Sequence, residues 1–199
     1  VYSSRSTSPN EIERLQAAGA WEQAADVLAD AATQVEAGGA DLLLLCTNTM
    51  HKVAAQVQAA VEIPLLDLAD TTAAAVRAAG LTTVGLLGTA FTMEQAFYRD
   101  RLASHGLTAL VPDADDRATV HSIIYDELCQ GIVSESSRGS YRQIMASLTA
   151  AGAQGIILGC TEIELLVTQS DSEVPVFPTT RLHVQAAVEQ ALASVTPPH

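Results

Sequence analysis

Aromatic residues are scarce in this 199-residue chain: Phe, Trp and Tyr together make up 4%. Positive charge is thin as well, with 10 Lys+Arg against 23 Asp+Glu and a formal net charge of −13. No cluster of Lys and Arg offers a surface for a phosphate backbone, so no nucleic-acid partner is expected. No apolar run reaches the roughly 18 residues of a spanning helix, and no charged start leads into an apolar signal stretch. A cytoplasmic protein without a membrane partner is the expectation. Three cysteines cannot make a fully paired disulfide framework. No Cys-x-x-Cys, no Gly-x-Gly-x-x-Gly and no lysine context for pyridoxal phosphate is present, which leaves redox, nucleotide and PLP chemistry with little support.

Aliphatic residues fill the space. At 48% hydrophobic and 17% charged, the chain is suited to a substantial core. Val1-Tyr2-Ser3 opens it without a methionine and reads as part of a strand, so a missing beginning is an expectation of the sequence. A helical pattern starts at Pro9-Asn10 and stops near Gly19. Trp21 to Val35 places Trp21, Ala24, Ala25, Leu28 and Ala32 on one helical face. Strands are expected at Asp41–Leu45, Ile63–Asp67, Thr83–Leu87, Leu107–Val111, Gln154–Leu158 and Val174–Phe177. Between and after them, helices are expected at Met50–Ala60, Ala69–Ala79, Phe91–His105, Thr119–Gln130, Gly139–Ala151 and Thr180–Val195. Continuous apolar strands alternating with helices indicate an α/β fold with mainly parallel sheets flanked by helices.

The pattern around Cys46 returns around Cys160. Ala37-Gly38-Gly39-Ala40-Asp41 leads into Leu42–Leu45 and Cys46-Thr47. Ala151-Gly152-Ala153-Gln154-Gly155 leads into Ile156–Gly159 and Cys160-Thr161. A helix and a short strand opened by proline, Pro64 or Pro175, follow each cysteine. Two ordinary βα units can agree this far by chance, but duplicated lobes that each deliver a strand-end cysteine to one cleft explain more of it.

A single strand-end cysteine is most simply a small packing residue. Two in matching Cys-Thr contexts, beside loop amides and helix starts, fit acid/base work on a carbon next to a carboxylate. One thiolate removes a proton from one face while the opposite thiol returns one to the other. Asn48, Thr49, Thr89 and Thr161 are strand-end polar residues that can hold substrate, although each also fits a helix cap or turn. Cys129, inside the Thr119–Gln130 segment, is expected to pack. Cysteines with His51 or His183 give only a weak metal spacing, and no metal site is expected.

Cys46-Thr47-Asn48-Thr49-Met50-His51-Lys52, Gly85-Leu86-Leu87-Gly88-Thr89 and Gly159-Cys160-Thr161-Glu162-Ile163 resemble the aspartate/glutamate racemase superfamily. The similarity is closest to its aspartate racemase and broad-specificity amino-acid racemase branch. It runs along essentially the whole chain and includes Thr179-Thr180-Arg181-Leu182-His183. It implies a cofactor-independent racemase with two pseudo-symmetric α/β lobes around a cleft, often as a homodimer. The first lobe is expected at residues 1–80 and lacks its initial βα unit. The second is expected at 81–199, with the C-terminal helix returning to the first.

The resemblance makes Cys46 and Cys160 the acid/base pair and Asn48, Thr49, Thr89 and Thr161 the contacts to a small amino-acid substrate. Glu162 stands where glutamate racemases generally have His, either tuning Cys160, meeting the substrate amine or capping its helix. Lys52 is expected either to attract a side-chain carboxylate or to be an exposed helical charge. His51 and His183 fit packing or capping as well as support of the site. Pro178 replaces the aspartate usual before the last helix. Aspartate, glutamate or related amino acids are the expected substrates. A related isomerase or decarboxylase, and a non-catalytic metabolite-binding protein or inactive paralogue, are the alternatives.

Overall fold

The apolar runs become short parallel strands, and in the larger sheet both faces are covered. The computed structural model describes residues 9–193, so the strand expected at Val1–Ser3 and the end of the last helix at Ser194-Val195 lie outside the described residues. β1 (Leu43–Leu44) pairs in parallel with β2 (Leu65–Leu66). β3 (Thr83–Gly88), β4 (Thr108–Leu110), β5 (Ile156–Gly159) and β6 (Val176–Pro178) form a second parallel sheet in the order β4-β3-β5-β6. The helices are α1 (Pro9–Ala17), α2 (Trp21–Ala37), α3 (Ala54–Ala59), α4 (Leu68–Ala78) and α5 (Ala90–Glu94). They continue with α6 (Ala96–Ser104), α7 (Ala114–Ser122), α8 (Glu135–Ala150), α9 (Ile163–Leu166) and α10 (Thr179–Ala193). No helix among the described residues is long and apolar enough to cross a membrane.

Strand side chains alternate between faces, and the core follows that alternation. Val84, Leu86 and Ile157 pack with Leu68, Ala73 and Val76 of α4 and Tyr98 and Leu102 of α6. Leu87, Ile156 and Leu158 pack with Val120 of α7 and Tyr141, Ile144, Met145 and Leu148 of α8. A third cluster joins α1, α2 and α3 to β1 through Leu15, Ala24, Ala32, Leu43 and Val57. The change from one core to the next falls between Leu65 and Leu68. α4 therefore shares the core of the four-stranded sheet, and α10 packs along α4.

Two glycines set how closely the central strands end. Gly88 and Gly159 are register partners. A Cβ on Gly88 would lie 2.9 Å from the Gly159 carbonyl oxygen, and one on Gly159 would lie 2.8 Å from that of Leu87. Side chains there would push apart the strand ends that lead into Thr89 and Cys160.

Several elements depart from the expected bounds. The Phe91–His105 helix breaks at Gln95, whose backbone is extended at φ −81° and ψ 147°, so α5 and α6 are separate. Thr49–Val53 is a 3₁₀ turn ahead of α3. The helix expected at Thr119–Gln130 starts earlier because the Asp113 carboxylate accepts the Asp116 N–H at 2.9 Å. It then widens to a π-helical turn over Ile123–Glu127 and tightens to a 3₁₀ turn over Leu128–Gln130, where Gly131 ends it at φ +75°.

α8 is tied to the segment that follows Cys160. The buried Asp171 carboxylate accepts from the Thr168 N–H at 2.9 Å and from Arg142 Nε at 2.7 Å. Arg138 lies 3.5 Å from it and donates to the Leu166 carbonyl. Burial alone would raise the Asp171 pKa, but the Thr168 amide and Arg142 outweigh it and hold the carboxyl below its ordinary range. A depressed folded-state pKa stabilises the fold above the unfolded value of about 4, and the gain is lost as pH falls through the lower folded value. Asp171→Asn is therefore expected to lower the melting temperature at pH 7, with the difference from wild type closing in melts taken progressively below pH 4.

Candidate active site

Both sequence-selected cysteines leave the carboxyl end of a parallel strand, the end where α/β sheets bind ligands. Cys46 lies just beyond β1 and is exposed, whereas Cys160 directly follows β5 and is buried. They line one cavity of about 1690 Å³, together with Asn48, Thr49, Thr89, Thr161 and Glu162. The volume is large because the cavity continues past the thiols along Gly39–Leu45, flanked by Leu28, Ala32 and Val35 of α2. Among the described strands β1 pairs only with β2, which leaves its other edge facing that space.

A three-group relay joins the two cysteine loops. The Thr179 hydroxyl donates to the Leu158 carbonyl at 2.9 Å, so its oxygen is left to accept from Asn48 Nδ2 at 3.1 Å. Asn48 stands two residues after Cys46 and Leu158 two before Cys160. This direction of donation fixes the Asn48 amide: Nδ2 faces Thr179, and Oδ1 is buried without a hydrogen-bond partner. A second link runs between Thr49 Oγ1 and Thr89 Oγ1 at 3.3 Å, and Thr89 is 3.4 Å from Thr92 Oγ1.

The Cys160 thiol donates to Glu162 Oε2 at 2.9 Å, and the Thr161 hydroxyl donates to the same oxygen at 2.6 Å. Burial pushes the Cys160 pKa far up, and the Glu162 charge and hydrogen bond add to the rise. Burial would also raise the Glu162 pKa, but donation from Cys160 and Thr161 outweighs it and holds the carboxyl low. The proton therefore stays on sulfur and Glu162 stays anionic.

The remaining selected residues stand behind the cavity wall. His51 Nδ1–H donates to the Thr47 carbonyl at 2.7 Å, while Nε2 accepts the Leu68 N–H at 3.0 Å. These partners require the neutral imidazole, and burial lowers the His51 pKa despite the Asp67 charge. His183 donates through Nε2 to the Leu66 carbonyl at 3.1 Å, and burial lowers its pKa. His51 thus braces the first cysteine loop against α4, and His183 ties α10 to β2. Lys52 does not reach the cavity to meet a carboxylate: Nζ donates to Gln95 Oε1 at 2.6 Å and sits 3.9 Å from the centre of the Trp21 ring.

Cys129 is a correction. It is exposed and lines the cavity, whereas the neighbouring Leu128 is buried. The change from α to π to 3₁₀ pitch alters which side chains face inward, and a regular helix drawn through residues 119–130 misses it. The same turn places Ile124 and Tyr125 on the cavity wall. The Tyr125 ring packs 4.7 Å from that of His121, whose Nδ1 accepts the Ala90 N–H at 3.1 Å. Neither Tyr125 nor Thr179 was selected as a site residue from sequence. No group of three or more His, Cys, Asp or Glu among the described residues is arranged to hold a metal.

The profile of the Asp/Glu/Hydantoin racemase family matches residues 3–187. The chain belongs to this family. A candidate Asp/Glu racemase from Yersinia pestis is 52% identical, with a TM-score of 0.87 over 92% of this chain and 80% of that one. An aspartate racemase homologue from Pyrococcus horikoshii is 34% identical, with a TM-score of 0.79 over 86% and 76% of the two chains. A broad-specificity amino-acid racemase of Bacillus subtilis is 22% identical over 171 residues, 82% of this chain and 70% of its own length. The two-lobed α/β architecture of the Asp/Glu racemases is thus the fold of this chain.

Two substitutions probe this racemase-family cleft. Thr179→Val keeps the shape but leaves Asn48 Nδ2 and the Leu158 carbonyl without their partner. It is expected to cost about 1–3 kcal/mol in urea unfolding, while Thr179→Ser stays close to wild type. Glu162→Gln removes the charge that opposes the Cys160 thiolate. The pH midpoint for iodoacetamide alkylation of Cys160, followed by peptide mass spectrometry, is expected to fall.

Proposed function

We propose that this protein racemises a free amino acid without PLP or another cofactor, using Cys46 and Cys160 as opposed acid and base. Aspartate, glutamate and related amino acids are the candidate range, in the cytoplasm. The observation that carries the reading is the placement of both strand-end cysteines on one cavity wall system with Asn48, Thr49, Thr89 and Thr161. Family membership supplies racemase-type chemistry. An identified acid and base, each able to reach the substrate α-carbon, is what racemisation demands of the fold.

The protonation state of Cys160 assigns its role in one direction. As a thiol hydrogen-bonded to Glu162, it is the proton donor. Cys46, open to solvent, acts as the base: it removes the α-proton and leaves the electron pair delocalised into the substrate carboxylate. Cys160 then delivers its proton to the opposite face, so that Cys46 ends protonated and Cys160 ends as the thiolate. The reverse turnover starts from that exchanged state. Solvent exchange at Cys46 and proton return to Cys160 beside Glu162 reset the pair.

Hydrogen-bond donors must also stabilise the charge that builds on the substrate carboxylate. The Thr49 and Thr89 hydroxyls share the cavity with the thiols and are assigned to it. Asn48 lines the same cavity and is assigned to holding the substrate, with the anionic Glu162 assigned to its ammonium. Cys46→Ala and Cys160→Ala are each expected to reduce racemisation by at least about 10²-fold, the usual contribution of a positioned acid or base. The assay is chiral chromatography of product from the full-length protein, with circular dichroism confirming the fold of each variant. Activity near wild type in either variant would exclude that thiol from the reaction.

A further inference from the structure

Resting on the racemase reading, we infer that the cleft selects amino acids with uncharged side chains over the dicarboxylic pair, aspartate and glutamate. Three carboxylates, Glu13, Asp41 and Glu162, line the cavity, and no Lys, Arg or His is among the described residues lining it. The cation that the sequence offered for a side-chain carboxylate, Lys52, is held elsewhere by Gln95 and the Trp21 ring. The wall contributed by the π and 3₁₀ turns is neutral: Ile124, Tyr125 and Cys129.

These features treat the two ends of a substrate differently. Every amino-acid substrate brings one carboxylate and one ammonium. The ammonium finds the anionic Glu162 on the cavity wall, so the zwitterion is accommodated without a cation among the described lining residues. A second carboxylate finds neutral side chains and the repulsion of Glu162. At the effective dielectric of a partly enclosed site, like charges several ångströms apart repel by enough to change an equilibrium by about tenfold or more. Uncharged side chains avoid that repulsion and gain apolar contact with Ile124 and Tyr125.

Matched amides isolate the charge from the shape. Solvent deuterium incorporation at the α-carbon, followed by NMR in D₂O, compares L-asparagine with L-aspartate and L-glutamine with L-glutamate on the full-length protein. In each pair the amide is expected to exchange with a kcat/KM at least about tenfold higher. About 0.5 M salt is expected to narrow the gap by screening. Aspartate or glutamate exchanging as fast as its amide would overturn the inference and leave the racemase reading intact. If the folded protein exchanges none of the four, the racemase reading fails. Ligand-observed NMR competition then decides the charge preference separately: tighter binding of the amides supports it, and equal or tighter binding of the acids overturns it.

Discussion

The hydrogen bonds through Thr179 hold the site together. One hydroxyl reaches Leu158 on the strand before Cys160 and receives the amide of Asn48 from the loop after Cys46. Without it, the two cysteine loops would be related mainly by the packing of their separate cores, since α1–α3 and the four-stranded sheet gather different apolar clusters. The relay also has a direction. Because Thr179 spends its proton on a backbone carbonyl, Asn48 is compelled to turn its amide nitrogen to Thr179, which leaves its oxygen buried without a partner. A structural contact thereby fixes the orientation of a side chain on the cavity wall.

Around that link, the chemistry is divided between two unlike thiols. Cys160 is enclosed beside Glu162 and keeps its proton, while Cys46 stands in the open. Similar strand-end motifs therefore deliver different environments, an asymmetry that suits a reaction in which one group takes a proton as the other gives one. The paired glycines Gly88 and Gly159 keep the ends of β3 and β5 close enough for Thr89 and Cys160 to share a wall. His51 contributes by bracing the first cysteine loop against α4, and His183 by tying α10 to β2; neither lines the cavity.

The parallel strands and the convergence of Cys46, Asn48, Thr49, Thr89, Cys160, Thr161 and Glu162 were legible because continuous apolar runs ending in polar residues have few other uses in an α/β fold. What stayed hidden depends on pitch and on distant partners. Tyr125 and Cys129 enter the cavity through a π turn that no 3.6-residue periodicity reveals. Lys52 follows the first cysteine motif closely, yet its direction is decided by Trp21 and Gln95 from other elements. In Pro178-Thr179-Thr180 the sequence signals an absent carboxylate at Pro178, whereas the consequential group is the hydroxyl one residue later. The contrast with α4 is physical: Asp67 caps that helix through the Ala69 and Asp70 amides, and Pro178 has no side-chain acceptor with which to do the same for α10.

The two-thiol claim is tested most directly by following where deuterium appears during the first part of a reaction that starts from a single enantiomer in D₂O. Two opposed thiols predict that the newly formed enantiomer carries solvent deuterium at its α-carbon while the remaining starting enantiomer keeps its original hydrogen. Equal early deuteration of both enantiomers would mean that one group serves both faces, and would contradict the account.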